Sequence, residues 1–272
     1  PYEIATASGV IASGHFTTAP PPDAHASVTI AFGSCAKEDD GTAKTWLRLV
    51  ELDPDVCVLL GDTPYIDSTD LAKQRERYRA FAAFEPMRAL LSTTPWYGTW
   101  DDHDFGRNDT DGNVPNRENS RRAFVEYHAN ASYGTDGEGV HTSFRNGPVE
   151  VFLLDTRWFA AMEPSPVDET KPSLLGAAQW SWLVDALKTS TAPVKILASG
   201  MIWNEATRPN KPDHWGTYPH ERTAVFDLIA EHDITGVILV GGDIHRSRVI
   251  RHEHEGVPGG ALLEFISSPM HD

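Results

Sequence analysis

The sequence predicts an α/β fold in which helices are layered on a β-sheet, because short apolar runs alternate with amphipathic segments along most of the chain. The runs "DVCVLLGD" (55–62) and "GVILVGGD" (236–243) are almost continuously apolar, which is typical of strands covered on both faces. The segment "TAKTWLRLVEL" (42–52) instead has its apolar residues near helical spacing and predicts a helix. Ligands in open α/β sheets bind beyond the carboxyl ends of the strands.

The other elements follow from the same patterns. Further strands are predicted at 28–32, 95–100, 141–147, 149–155, 194–200, 247–254 and 261–268, with 141–155 forming a hairpin. Further helices are predicted at 70–92, interrupted at Pro86, and at 117–129, 176–190 and 219–232. Residues 1–27 are rich in Ala, Ser, Thr and Pro and predict a tail or linker with little regular structure, followed by one domain over 28–272.

Composition excludes several classes of function. The net charge of −16 disfavours binding to nucleic acid and to anionic membranes. No apolar run approaches the roughly 20 residues that span a bilayer. Two cysteines do not make a disulfide framework and leave the compartment open. No signal peptide is recognisable, and because the chain begins at Pro1 rather than Met, we expect this end to be either a processed one or an artificially chosen one.

Metal-competent side chains stand at the ends of the predicted strands, which suggests a site on one rim of the fold. They are Cys35, Asp62, Asp102, His103, Asp155, Asp243 and His245.

The run "LLGDTPY" places Asp62 behind a glycine at a strand end. A carboxylate there can bridge two cations, although most Gly-Asp pairs simply begin a loop or cap a helix. Tyr65 is either a phenolate ligand or a packed aromatic residue.

The run "TWDDHDFGRND" (99–109) concentrates carboxylates, and each raises its neighbour's pKa unless a cation compensates. His103 is suited to proton transfer, since its ordinary pKa lies near neutrality. The alternative is a solvated acidic loop with Asx turns.

Two further motifs have a functional and a plain interpretation. In "GGDIHRS", Asp243 and His245 share a direction if the chain is extended, so both could reach one metal. On this motif alone, a core histidine satisfied by backbone is the more common case for His245. Cys35 is either a buried small hydrophobe or a thiolate that acts as a nucleophile or metal ligand. Cys57, inside "DVCVLL", is expected in the core.

Taken together in this order, the motifs resemble the alkaline phosphatase D-like (PhoD-like) branch of the calcineurin-like metallophosphoesterases, from about Val28 to His271. The resemblance is carried by "FGSC", "LLGDTPYID", "TWDDHDFGRND", "LLDTRWF", "LGAAQWSWL", "WGTYPHER", "GGDIHRS" and "ISSPMH". It implies a four-layer α/β/β/α sandwich with metals at the carboxyl ends of the strands. The Asp-x-His of the wider superfamily is replaced here by "GSC", and its Asn by Asp102. The N-terminal β-sandwich module of typical members is replaced by a short tail.

The resemblance also implies a metal centre of Fe³⁺ and Ca²⁺, other divalent metals being possible, and a role for each matching residue. Asp62 would bridge the two metals, Asp102 and Asn108 would bind calcium, and His103 would lie beside the scissile phosphate. Arg157 would contact phosphate or brace its loop. The direct ligands around iron would be Cys35, Asp62, Tyr65, Asp243 and His245.

The function implied is hydrolysis of a small phosphate ester by a metal-activated hydroxide, with monoester and diester both open. One alternative is a non-catalytic calcium-binding or ligand-binding module on this scaffold. Another is a cysteine hydrolase that uses Cys35 with His103 and an aspartate. By analogy with the family, we expect an extracellular or periplasmic protein.

Overall fold

Two β-sheets lie face to face in this computed structural model, which describes residues 1–205 and 211–271. The strands are β1 (Tyr2–Thr6), β2 (Gly9–Gly14), β3 (Ile30–Gly33), β4 (Val56–Leu60), β5 (Trp96–Thr99), β6 (Thr142–Asn146), β7 (Val149–Leu154), β8 (Pro164–Ser165), β9 (Asp168–Pro172), β10 (Val194–Ser199), β11 (Val237–Gly241), β12 (Arg248–Glu253) and β13 (Ala261–Ile266). The helices are α1 (Asp40–Leu52), α2 (Leu71–Ala83), α3 (Glu85–Leu91), α4 (Asp102–Phe105), α5 (Arg117–Tyr127), α6 (Gly176–Thr189) and α7 (Pro219–Glu231), with a 3₁₀ turn at Trp215–Thr217.

The two sheets differ in size but end at a common rim. The smaller sheet has the order β3-β4-β5 and is entirely parallel. The larger has the order β12-β13-β11-β10-β7-β6, in which β13, β11, β10 and β7 are parallel and the two edge strands are antiparallel. Each parallel set directs the carboxyl ends of its strands to one edge, where a ligand site is expected.

The apolar run in β4 shows why both faces of a strand must be hydrophobic here. Val56, Val58 and Leu60 face the other sheet, where they pack with residues of β7, β10 and β11. Cys57 and Leu59 face outward and pack against α1, α2 and α3, so Cys57 lies in the core as expected. Burying each Val or Leu contributes about 1.5–3 kcal/mol.

Helices α6 and α7 cover the outer face of the larger sheet, where their apolar residues pack against β7, β10 and β11. Together with the helices on the smaller sheet, they complete four layers, which confirms the α/β/β/α sandwich. The predicted interruption near Pro86 is also present: α2 ends at Ala83, Phe84 is extended, and Pro86 lies in the first turn of α3. Within the described part of the chain, every helix is too short or too polar to cross a membrane.

The expectation of little regular structure in residues 1–27 was wrong for residues 2–14. Strands β1 and β2 pair there as an antiparallel hairpin. Their side chains are mostly exposed on both faces, so the burial that produces a clear alternating pattern is missing from the sequence. The division of the chain at residue 28 stays a prediction.

Candidate metal centre

The strand ends bring most of the predicted site residues together. Asp62 follows β4, Asp102 follows β5 and Asp243 follows β11. Carboxylate oxygens of Asp62, Asp101, Asp102 and Asp243 lie within 4.8 Å of one another. His103 forms a second group with Asp62 and Asp102, whose ligand atoms also lie within 4.8 Å of one another. Asp62, Asp102, His103 and Asp243 therefore lie close together at one rim of the fold.

Tight backbone turns aim these side chains. Cys35, Asp62, Asp243 and His245 all have positive φ, at 58°, 53°, 65° and 51°. Positive φ is uncommon in residues other than glycine, and residues with this conformation are concentrated at functional sites. The turns contradict the extended chain assumed above for Asp243 and His245, so these two side chains reach the rim by sharp turns rather than by strand alternation.

Gly61 makes the approach of two strand ends possible. A Cβ added to it would lie 2.3 Å from the backbone N of Asp101. Only glycine fits between the loops that follow β4 and β5, which places Asp62 against the "WDDHD" segment.

One end of the candidate metal centre carries a thiol, a phenol and an imidazole group. Cys35 Sγ lies 3.4 Å from Asp62 Oδ2 and accepts a hydrogen bond from Ser268 Oγ at 3.2 Å. Tyr65 Oη lies 3.0 Å from His245 Nε2. His245 is exposed and is therefore not a core histidine. Thiolate, phenolate and imidazole are ligands that suit iron or another transition metal.

Burial keeps the unmetallated thiol protonated. Cys35 is fully buried, and this burial, followed by the charge of Asp62, raises the pKa of its thiol well above the usual range. Burial likewise raises the pKa of the Tyr65 phenol. Both groups would ionise readily only beside a cation.

The three aspartates of "WDDHD" have different partners, so the segment is not a solvated loop. All three are buried, and Asp102 and Asp104 lie in the short helix α4. Asp104 accepts a hydrogen bond from the backbone N of Asp101 at 2.5 Å. Asp102 accepts bonds from the backbone N of His103 at 3.0 Å and of Asp109 at 2.6 Å. Asp101 pairs with Arg157.

The carboxyl groups titrate abnormally. Burial, with the charges of Asp102 and Asp101, raises the pKa of Asp62, and burial raises that of Asp104 to about 7. Burial, with the charge of Asp213, raises that of Asp243 to about 6. For Asp102 burial acts in the same direction, but Arg157 and His103 outweigh it and hold its pKa below the usual value. A shared cation would relieve this repulsion.

His103 has a defined orientation. Its Nδ1 lies 2.6 Å from Asp67 Oδ1, and its ring contacts the ring of Tyr65 with centroids 4.6 Å apart. With Nδ1 held by a carboxylate, Nε2 is the nitrogen left to meet a substrate. Asp67 was not predicted as a site residue, although it lies within the quoted motif "LLGDTPYID".

Arg157 is placed as a brace rather than as a phosphate ligand. Its side chain is buried and donates to Asp101 Oδ1 at 2.7 Å and to both oxygens of Asp213, at 2.7 and 2.9 Å. It also donates to the carbonyl of Thr110 at 3.2 Å. These contacts favour the bracing alternative over a contact with phosphate.

Two other predicted residues lie apart from the central groups. Asp155 accepts bonds from Trp100 Nε1 at 2.7 Å and from the backbone N of Val140 and Trp158, each at 2.9 Å, so it holds loops together. Asn108 is exposed on the turn after α4, and its neighbour Asp109 contributes the carboxylate that groups with Asp102 and Asp213.

Asp213 and Lys211 complete the site and were missed at the sequence level. They lie before the 3₁₀ turn in a segment without hydrophobic periodicity. The signal was a pair of charged residues just before "HWGTYPHER", which by itself does not distinguish a site from a solvated loop. The charges of Asp243 and Asp213 outweigh burial and raise the pKa of Lys211 above its ordinary value.

The residues present fit a bound metal. The candidate groups contain six different aspartates, and the ion pairs within the described ranges reach only four of them, leaving Asp62 and Asp102 without one. Asp101 Oδ2 is buried without a hydrogen-bond partner among the described residues. Buried carboxylates without a counter-charge are costly, so a cation is the natural complement.

Comparisons with known proteins agree with this chemistry. The chain matches the PhoD-like phosphatase family over residues 30–272. It is 26% identical to alkaline phosphatase D of Bacillus subtilis strain 168 over 297 residues, which covers 90% of this chain and 51% of that protein. The chain thus spans about half the length of this curated relative.

Solved structures show the same fold. A structure of PhoD superposes with a TM-score of 0.81 at 22% identity, covering 98% of this chain and 61% of that one. The purple acid phosphatase PPD1 of yellow lupin (Lupinus luteus) gives 0.65 at 15% identity, with coverage of 93% and 46%. A dimetal phosphatase from Danio rerio gives 0.59 at 13% identity, with 89% of both chains covered.

Proposed function

Because the chain belongs to the PhoD-like phosphatase family, we propose that it is a metal-dependent phosphoric ester hydrolase acting on small phosphate esters. The observation that carries the proposal is the convergence of Asp62, Asp102, Asp243 and His103 at one rim, with ligand atoms close enough to share cations. The family and the Bacillus homologue support phosphoester hydrolysis with bound metal.

We propose that two chemically different metals are held. The end with Cys35, Tyr65 and His245 suits Fe³⁺, with Asp62 and Asp243 beside it. The end with Asp102 and Asn108 offers oxygen ligands and suits Ca²⁺. Asp62 lies between the two ends and would be the bridge. When bound, the metals lower the pKa of a water ligand and offset charge on the phosphoryl group.

The chain's own residues would orient the substrate and move one proton. His103, oriented by Asp67, would hold a phosphate oxygen or protonate the leaving oxygen through Nε2. Arg157 would act indirectly, by fixing Asp101 and Asp213, which belong to two different candidate metal groups. No covalent intermediate on the protein is required.

The fully buried, protonated state of Cys35 argues against the cysteine-hydrolase alternative. The same thiol beside Asp62 is consistent with a ligand that ionises when a metal binds.

Asp62→Asn tests the proposal. We expect hydrolysis to fall at least about 100-fold, together with metal content measured by elemental analysis. The matched control is Asp136→Asn, because Asp136 is exposed and has the same φ of 53° as Asp62. Full activity in Asp62→Asn would overturn the assignment. Full metal content in a wild type that hydrolyses no ester would favour the non-catalytic module.

Cys35→Ser separates the two metal assignments. We expect this variant to lose iron while it keeps calcium, since serine is a poor ligand for a transition metal. Equal loss of both metals would contradict the division of the centre into two ends.

We further propose an extracellular or periplasmic location. The resemblance described above supports it, and fractionation of the source cells with an antibody to the chain tests it. Recovery in the cytoplasmic fraction alone would contradict it.

A further inference from the structure

Lys37 lies on the loop that follows β3, two residues after Cys35, and its ammonium group is held over the ring of Tyr65. The Nζ atom is 5.2 Å from the ring centroid, which is within the range at which a cation is attracted to an aromatic face. The same ring contacts that of His103, the residue proposed above to meet the substrate. Lys37 therefore stands beside the rim where a phosphate ester would bind.

The loop that carries this lysine is fixed by hydrogen bonds on both sides. Before the lysine, the backbone N of Ala36 donates to the carbonyl of Asp62 at 3.0 Å. After it, Glu38 accepts a hydrogen bond from Arg77 at 2.7 Å, and Arg77 also donates to the carbonyl of Tyr65 at 3.1 Å. The lysine backbone is thus anchored to the segment that supplies Asp62 and Tyr65, while its flexible stem can adjust to a ligand.

The acidic residues next to Lys37 in the sequence have other partners. Glu38 pairs with Arg77, and Asp39 accepts a hydrogen bond from the backbone N of Thr42 at 2.8 Å as the N-cap of α1. Among the residues that the structure describes, no ion pair involves Lys37. Its charge is therefore not neutralised by the acidic residues that follow it.

Other cations near the centre are already engaged by carboxylates. Lys211 Nζ lies 3.1 Å from Asp109 Oδ1 and 3.2 Å from Asp243 Oδ1, and Arg157 is buried in its own ion pairs. The chain has a net charge of −16, so its overall field repels anionic molecules and a local cation is needed to hold them. Lys37 is exposed and can supply that charge.

We propose that Lys37 binds a second anionic group of the substrate while the scissile phosphate occupies the metal centre. The esters preferred by this chain would then carry two anionic groups rather than one. Lys37 would be a specificity-determining residue, because its contact separates esters that differ in the second charge. The inference rests on the proposed function and names the substrate class of the same site.

Matched esters with and without a second charge test the inference. The substrates are phenyl phosphate and its meta-carboxyphenyl and para-carboxyphenyl counterparts, each also supplied as the methyl phosphodiester. The quantity compared is the ratio of kcat/KM for the carboxylated ester to kcat/KM for the plain one, since this ratio removes effects common to both. We expect Lys37→Met to lower the ratio about 5-fold for at least one carboxylated ester, as for a good exposed ion pair.

Controls separate the local contact from the charge of the whole protein. Lys37→Arg keeps the charge and should keep most of the preference. Lys188→Met removes the same charge from an exposed position on α6 and should leave the ratio unchanged. Metal content and thermal melting curves of Lys37→Met should match the wild type, because the lysine is assigned neither to the metals nor to the core.

Every other result overturns the inference. An unchanged ratio in Lys37→Met, even with a lower rate for all esters, would show that Lys37 does not contact a second anionic group. An equal fall in Lys188→Met would show that only the overall charge matters. If the wild type hydrolyses none of the esters, the proposed function fails and the inference with it, whereas hydrolysis with an unchanged ratio removes the inference alone.

Discussion

Replacing Arg157 by methionine is the sharpest test of how the acidic site is held together. The guanidinium is buried and forms hydrogen bonds with Asp101, with both oxygens of Asp213 and with the carbonyl of Thr110. Removing one partner of a buried ion pair leaves an uncompensated charge and costs about 3–5 kcal/mol. We therefore expect Arg157→Met to lower the free energy of unfolding by about 3–5 kcal/mol.

Urea unfolding in the presence of a chelator measures this loss without a contribution from metal binding. The matched control is Arg122→Met, because Arg122 is 63% exposed and pairs with Glu126 on the surface of α5. Such a surface pair contributes below about 1 kcal/mol. The double variant Arg157→Met/Asp213→Asn should recover part of the loss, since one of the two stranded charges is removed.

The result that would refute this reasoning is a loss in Arg157→Met no larger than in Arg122→Met. If Arg157→Met were as stable as Arg122→Met but had a raised KM for a phosphate ester, Arg157 would be a phosphate ligand rather than a brace. The two roles therefore give opposite patterns of stability and KM.

Three further outcomes follow from the site and its surroundings. Asp67→Asn should lower kcat about 10–100-fold with metal content unchanged, because it loosens His103, and an unchanged kcat would contradict the pairing seen at 2.6 Å. Burial lowers the pKa of His128 to about 3, so the unfolded chain, with an ordinary value near 6.5, binds the proton more readily and stability is lost as pH falls from about 6.5 towards 3. Between pH 7 and pH 5 this histidine should cost about 2 kcal/mol, and urea curves of His128→Phe should lack that part of the loss; an identical loss in both proteins would contradict it. Iodoacetamide should not abolish the proposed hydrolysis, since Cys35 is fully buried, whereas rapid inactivation would favour the cysteine hydrolase.

The sheets and their rim were predictable because their signals are local. Continuous apolar runs such as that of β4 require cover on both faces, and the carboxyl ends of parallel strands meet at one edge. Asp62, Asp102 and Asp243 follow such strands directly, so their convergence could be anticipated from order alone.

The partners of these residues could not be predicted, since they depend on loops folding against one another. Arg157 pairs with Asp101 and so decides which of Asp101 and Asp102 is left to face a bound metal ion. Arg157 lies 56 positions away from Asp101 along the chain. Asp213 and Lys211 come from a segment without periodic pattern, and only the tertiary structure brings them to Asp243. The hairpin β1–β2 is held by local pairing and buries little, so it left no hydrophobic pattern in the sequence.

Hydrolysis of p-nitrophenyl phosphate beside bis-p-nitrophenyl phosphate tests the central claim most directly. Each ester would be assayed with purified protein, with chelator-treated protein, and after iron and calcium are restored. We predict turnover of at least one ester that is lost with the chelator and returns with metal, and the faster ester shows whether monoesters or diesters are preferred. Turnover that persists in fully stripped protein, or no turnover of either ester by protein that retains its metals, would contradict the account of this chain as a metal-dependent phosphoesterase.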